Sequence, residues 1–96
     1  MEKELKTKEM KKLYEAILTL KTTKECEAFF RDLCTLSEMK EMGERFEVVR
    51  RVYKGETYRF INEKTGVSTA TITRVAHWLN HGMGGYKLVL ERMGEE

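Results

Sequence analysis

The run Ser68-Thr69-Ala70-Thr71-Ile72-Thr73-Arg74 gathers four hydroxyls, a small alanine and a cation within seven residues. Small hydroxylated side chains at the start of a helix can enter the major groove of double-stranded DNA, where bulk would clash and hydroxyls reach base edges. The surrounding charge suits the phosphates. Residues 50–77 hold Arg50, Arg51, Lys54, Arg59, Lys64 and Arg74 against only Glu56 and Glu63. That surplus exceeds the +2 of the whole chain, so the remainder is slightly acidic and the positive potential is concentrated in this stretch.

Other chemistries are weaker. His77 and His81 stand four apart and share a helix face, as metal-binding pairs do, but no Cys, Asp or Glu sits at a spacing that must join them. They read as solvent-facing or phosphate-contacting imidazoles, with no metal expected. Gly82-Met83-Gly84-Gly85 follows no strand and lacks the Lys-Ser/Thr of a phosphate loop, so it reads as a helix stop. The carboxylate pairs Glu2/Glu4 and Glu95/Glu96 sit at the termini. No Ser-His-Asp or Cys-His arrangement is suggested, so neither catalysis nor a cofactor is expected. Cys26 and Cys34, eight residues apart in a helical stretch, would be roughly 12 Å apart, too far for a disulfide. They read as packed thiols.

The elements that must position the hydroxyl run are helices. Ninety-six residues, 41% hydrophobic and 35% charged, allow one domain with a single modest core. Leu5, Met10, Leu13, Tyr14, Ile17 and Leu18 mark one apolar face. Thr22 with Glu25, and Thr35 with Glu38, are capping-box patterns that open a second and a third helix. The second turns Cys26, Phe29, Phe30 and Leu33 inward. The third carries Met39, Met42, Phe46, Val49, Val52 and Tyr53 and stops at Gly55, with Gly43 marking a kink or a close helix crossing. Thr57 caps a short helix with Phe60 and Ile61 that ends at Gly66, and Ser68 caps the next, with Ala70, Ile72, Val75, Ala76 and Leu79 as packing positions. A last helix, 86–93, turns Val89, Leu90 and Met93 to one side. The expected fold class is all-α, six helices and no strand.

Two short helices joined at Thr65-Gly66-Val67-Ser68 make a helix-turn-helix: the first braces across the backbone, the second reads the groove. A helical hairpin with Thr-rich solvent exposure is the plainer alternative. Six amphipathic helices in so short a chain also leave apolar faces over, so a partner subunit is expected. No apolar run reaches the roughly 20 residues that span a bilayer. The opening MEKELKTKEM has no hydrophobic signal region, so the expected location is cytoplasmic and off the membrane.

Together, Thr35, Gly43, Arg45, Gly55-Glu56 and Ala70-Thr71-Ile72-Thr73-Arg74 resemble the Trp repressor family, and the stretch RVAHWLNHGMGGYKLVLERM is similar to its YerC/YecD branch. The resemblance implies an intertwined all-helical homodimer. Residues 1–54 and 84–93 would form its core, and residues 57–82 the DNA-reading head. It implies DNA contacts from Tyr58, Arg59 and Asn62 on the bracing helix, where Asn62 replaces a family Lys. Thr69, Ala70, Thr71 and Thr73 would contact DNA from the reading helix, beside Ser68 at its start. It also maps an effector pocket onto Thr35, Arg45, Arg74, Val75 and Trp78. Arg45 and Arg74 would sandwich a ligand ring, while Val75 and Trp78 replace a family Gly and Ser. Space for free L-tryptophan is then expected to be lost, with Trp78 itself filling the site as the favoured expectation and a pocket reshaped for another small ligand as the alternative. The leading expectation is a sequence-specific DNA-binding regulator, a repressor by the resemblance. The rival is a helical protein-interaction module that keeps the fold without binding DNA.

Overall fold

The computed structural model describes residues 1–94; Glu95 and Glu96 lie outside the described residues. A 3-10 turn at Lys3–Leu5 precedes six α-helices: α1 Lys8–Ile17, α2 Thr23–Leu33, α3 Leu36–Tyr53, α4 Tyr58–Thr65, α5 Thr69–His81 and α6 Gly85–Met93. There is no strand among the described residues. Hydroxyl caps set the helix starts. The side-chain oxygens of Thr7, Thr22, Thr57 and Ser68 accept from the backbone N–H three residues on. Thr35 and Glu38 form a full reciprocal box, Thr35 N donating to Glu38 Oε1 at 2.8 Å and Glu38 N to Thr35 Oγ1 at 3.1 Å. Leu5 falls outside α1, because the Thr7 cap starts the helix after it.

Contacts divide the chain into two compact units, Met1–Met39 and Lys40–Glu96. The first unit contains α1, α2 and the start of α3, and none of its described residues is fully buried. Its apolar faces are only half covered: Phe29 and Phe30 meet edge to face with centroids 5.6 Å apart, while Leu18 is 84% exposed and Leu33 and Leu36 also face out.

The second unit holds the core. Val48 and Val49 of α3, Ile61 of α4, Ile72, Val75 and Leu79 of α5 and Leu90 of α6 form one buried cluster, with Phe46, Val52, Tyr53, Val67 and Tyr86 packed against it. Each fully buried side chain of the cluster stabilises the fold by about 1.5–3 kcal/mol. Ile72, Val75, Ala76 and Leu79 are buried as their spacing predicts, but Ala70 is exposed. It lies in the first turn, on the side of α5 away from the stripe. Val48 is buried although the third-helix stripe omits it. Two adjacent residues inside mean that this part of α3 is covered over a wide arc. Met42, Val89 and Met93, expected inward, are exposed, leaving Leu90, with Tyr86 packed against the cluster, to anchor α6. Gly66, at φ 75°, closes α4 in the left-handed conformation. A Cβ at Gly82 would strike the Trp78 carbonyl oxygen, so glycine is needed where α5 stops.

Candidate nucleic-acid interface

The link between α4 and α5 is tied by side chains. Gly66 N donates to Asn62 O at 2.9 Å, and Asn62 Nδ2 donates to Val67 O at 2.8 Å. Thr65 Oγ1 donates to Ile61 O at 2.7 Å and accepts from Val67 N at 3.1 Å. Ser68 Oγ accepts from Thr71 N at 3.2 Å and donates to Thr71 Oγ1 at 3.0 Å. With Ile61 and Ile72 buried on their inner sides, the two helices present fixed outer faces.

On α5 that outer face carries Thr69, Ala70, Thr73 and Arg74, then His77 and His81. Thr73 Oγ1 donates to Thr69 O at 2.9 Å, so its proton is engaged within the helix and its lone pairs face out. Thr71 is half-buried at the edge, with its own hydroxyl proton available. On α4, Tyr58 is exposed and Arg59 reaches Glu63 at 3.4 Å, a solvent-exposed pair of small energetic weight. The structure therefore puts Tyr58, Arg59, Ser68, Thr69, Ala70, Thr71 and Thr73 on or at the edge of the helix-turn-helix surface. The Asn62 amide is instead half-buried and bonded to the turn.

Charge in the region is partly neutralised internally. Glu47 Oε1 accepts from Arg50 Nε at 2.9 Å and its Oε2 from Arg51 Nε at 3.0 Å, while Arg51 Nη1 also donates to Glu56 Oε1 at 3.0 Å. Hydrogen bonding from Arg50, opposed by burial and aided by Arg51, holds the Glu47 carboxyl below its ordinary pKa. Bonds from Glu56 and then Glu47 raise that of Arg51. The network ties the end of α3 to the residue before the Thr57 cap, so Arg50 and Arg51 contribute less outward field than the sequence count implies. Lys64 lies over the Phe60 ring, 5.5 Å from its centroid. Arg74 is exposed, with no partner among the described residues.

Within the second unit, the residues that the resemblance maps to one effector pocket line different surroundings. Arg45 lines an open pocket of about 350 Å³ with Glu41, Glu44, Val48, residues 65–68 and Thr71. Val75 points into the core, 3% exposed, and Trp78 is 54% exposed in a different, apolar groove with Phe46, Met83, Tyr86 and Val89. Arg74 lines neither, and Thr35 caps α3. Trp78 and Arg45 thus line different pockets. Trp78 lies two helical turns beyond Thr71, the α5 residue that reaches the Arg45 pocket. His77 and His81 have ring centroids 5.0 Å apart, but no group of three or more metal-ligating side chains occurs among the described residues.

Two helices locked at a glycine turn, a hydroxyl-lined exposed start on the second and an all-α core behind them define a helix-turn-helix protein. The family follows from comparison: the model of the Trp repressor protein matches residues 8–94, and the chain belongs to that family. It is 45% identical over 91 residues to the uncharacterised protein YerC of Bacillus subtilis (strain 168), covering 95% of this chain and 88% of YerC. A Trp operon repressor homolog of Chlamydia trachomatis serovar D is 42% identical over 66 residues, 64% of this chain and 70% of that protein. The crystal structure of a TrpR-like protein from Eubacterium eligens superposes with a TM-score of 0.91 at 46% identity, covering 97% of this chain and 96% of the other. No helix among the described residues is long and apolar enough to cross a membrane.

Proposed function

We propose that this protein is a sequence-specific DNA-binding regulator, acting as a repressor, that works as a homodimer. The observation that carries the reading is the exposed face of α5, where Thr69, Ala70, Thr73 and Arg74 stand clear of the core behind a turn held by side-chain hydrogen bonds. Small hydroxylated residues there fit the major groove, and Tyr58 and Arg59 on α4 are placed to grip the adjacent phosphates. The name of the Chlamydia relative, a Trp operon repressor homolog, supports the same class.

Self-association completes the reading. The first unit has no fully buried residue, and the second leaves an apolar groove around Trp78, so residues 1–54 and 84–93 form the dimer core and residues 57–82 the reading head. Two heads related by a two-fold axis bind half-sites about one helical turn, roughly 34–36 Å, apart. Selection of bound duplexes from a random pool tests this. A symmetric motif whose binding weakens steeply with salt is expected, whereas retention without sequence preference or salt dependence would identify a protein-docking module instead.

A further inference from the structure

Asn62 is one of three α4 residues, with Tyr58 and Arg59, that the family resemblance assigns to DNA, and its amide is bonded to the turn instead. Nδ2 donates to Val67 O at 2.8 Å, while its own backbone carbonyl accepts from Gly66 N at 2.9 Å. Asn62 therefore grips the chain on both sides of the left-handed Gly66. Thr65 adds the complementary hold, its hydroxyl accepting from Val67 N at 3.1 Å while donating back to Ile61 O. Both polar groups of Val67 are thus held by side chains of α4, and the Val67 side chain packs against the core. Reading adenine requires an asparagine to offer its amide donor and acceptor together to one base edge. Here that would mean releasing a half-buried carbonyl from its partner.

We infer that Asn62 is a positioning residue: it clamps Val67 to set how α5 leaves the turn, and it does not read a base. The inference rests on the DNA-binding reading only for the second half of its test. The first half uses the free full-length protein. Asn62→Leu keeps the shape and adds no charge but cannot donate to Val67 O. Amide hydrogen exchange at Gly66 and Val67 is expected to accelerate about three- to tenfold, the loss of one neutral hydrogen bond, with protection at Val49 and Leu90 unchanged. On DNA, the same variant is expected to bind every duplex about three- to tenfold more weakly with the order of preferred sequences intact.

Wild-type exchange at Gly66 and Val67, or altered preference at one base pair with the turn undisturbed, overturns the inference. Should Asn62→Leu fail to fold, Asn62→Ala is read by the same two measurements. A wild-type protein that binds no DNA would sink the proposed function, while the exchange experiment would still decide whether the clamp exists.

Discussion

At the scale of single residues, exposure and hydrogen bonding separate side chains that the sequence groups together. Ser68 and Thr71 bond to each other and Thr73 bonds back to Thr69 O, whereas Arg74 stands outward without a partner among the described residues. Arg74→Ala is therefore expected to weaken binding to the preferred duplex by about 1–3 kcal/mol, the range for a lost base contact. An effect confined to a small-molecule ligand, with DNA affinity at the wild-type value, would return Arg74 to an effector role. Arg59 predicts a different pattern. Its guanidinium is exposed beside Glu63, so Arg59→Ala should lower affinity on all sequences and reduce the salt slope by about one. Thr71→Ala should instead relax preference at particular base pairs. Fluorescence anisotropy on selected and random duplexes at several salt concentrations distinguishes the three.

At the scale of elements, α3 carries two features with opposite consequences. Gly43 sits inside it with nothing within 4 Å of an added Cβ, so a side chain there meets open space. Gly43→Ala is expected to raise stability by about 0.5–1 kcal/mol in urea denaturation. Destabilisation would mean that a second subunit crosses at that point. Further along, Glu47 is held ionised by Arg50 and Arg51, and Arg51 continues to Glu56 ahead of α4. Because the folded-state pKa of Glu47 is depressed, the stabilisation is fully present above the ordinary carboxylate range. It is lost as pH falls through the lowered folded value. Denaturation midpoints measured from neutral to strongly acidic pH should show that loss in the wild type and a shallower one in Glu47→Gln.

At the scale of the whole molecule, the uneven core sets the prediction. One cluster serves α3 to α6, while α1 and α2 keep Leu18, Leu33 and neighbouring apolar side chains half covered or exposed. A stable dimer at micromolar concentration is expected in sedimentation equilibrium, its stability rising with protein concentration. Trp78, the single tryptophan, lies with Phe46, Met83 and Tyr86 in an apolar groove and reports the event: its emission should shift to shorter wavelength as subunits associate. A monomer throughout the range would remove the dimer from the proposed function.

What the sequence determined by itself is whatever depends on local backbone chemistry. The Thr22, Thr35, Thr57 and Ser68 caps, the Gly66 stop and the inward stripe Ile72, Val75, Ala76 and Leu79 all rest on residues within one or two turns of each other. The helix-turn-helix and most of its outward hydroxyls were legible for the same reason. Tertiary structure decided the rest. Burial of Val48 beside Val49, release of Met42 and Val89 to the surface, and separation of Trp78 from the Arg45 pocket depend on which helices cover which arc. Helical spacing states only that two residues share a face, and the same asparagine can hydrogen-bond a base or a carbonyl. For Asn62 the choice fell to the Val67 carbonyl, brought within reach only because Gly66 turns the chain back.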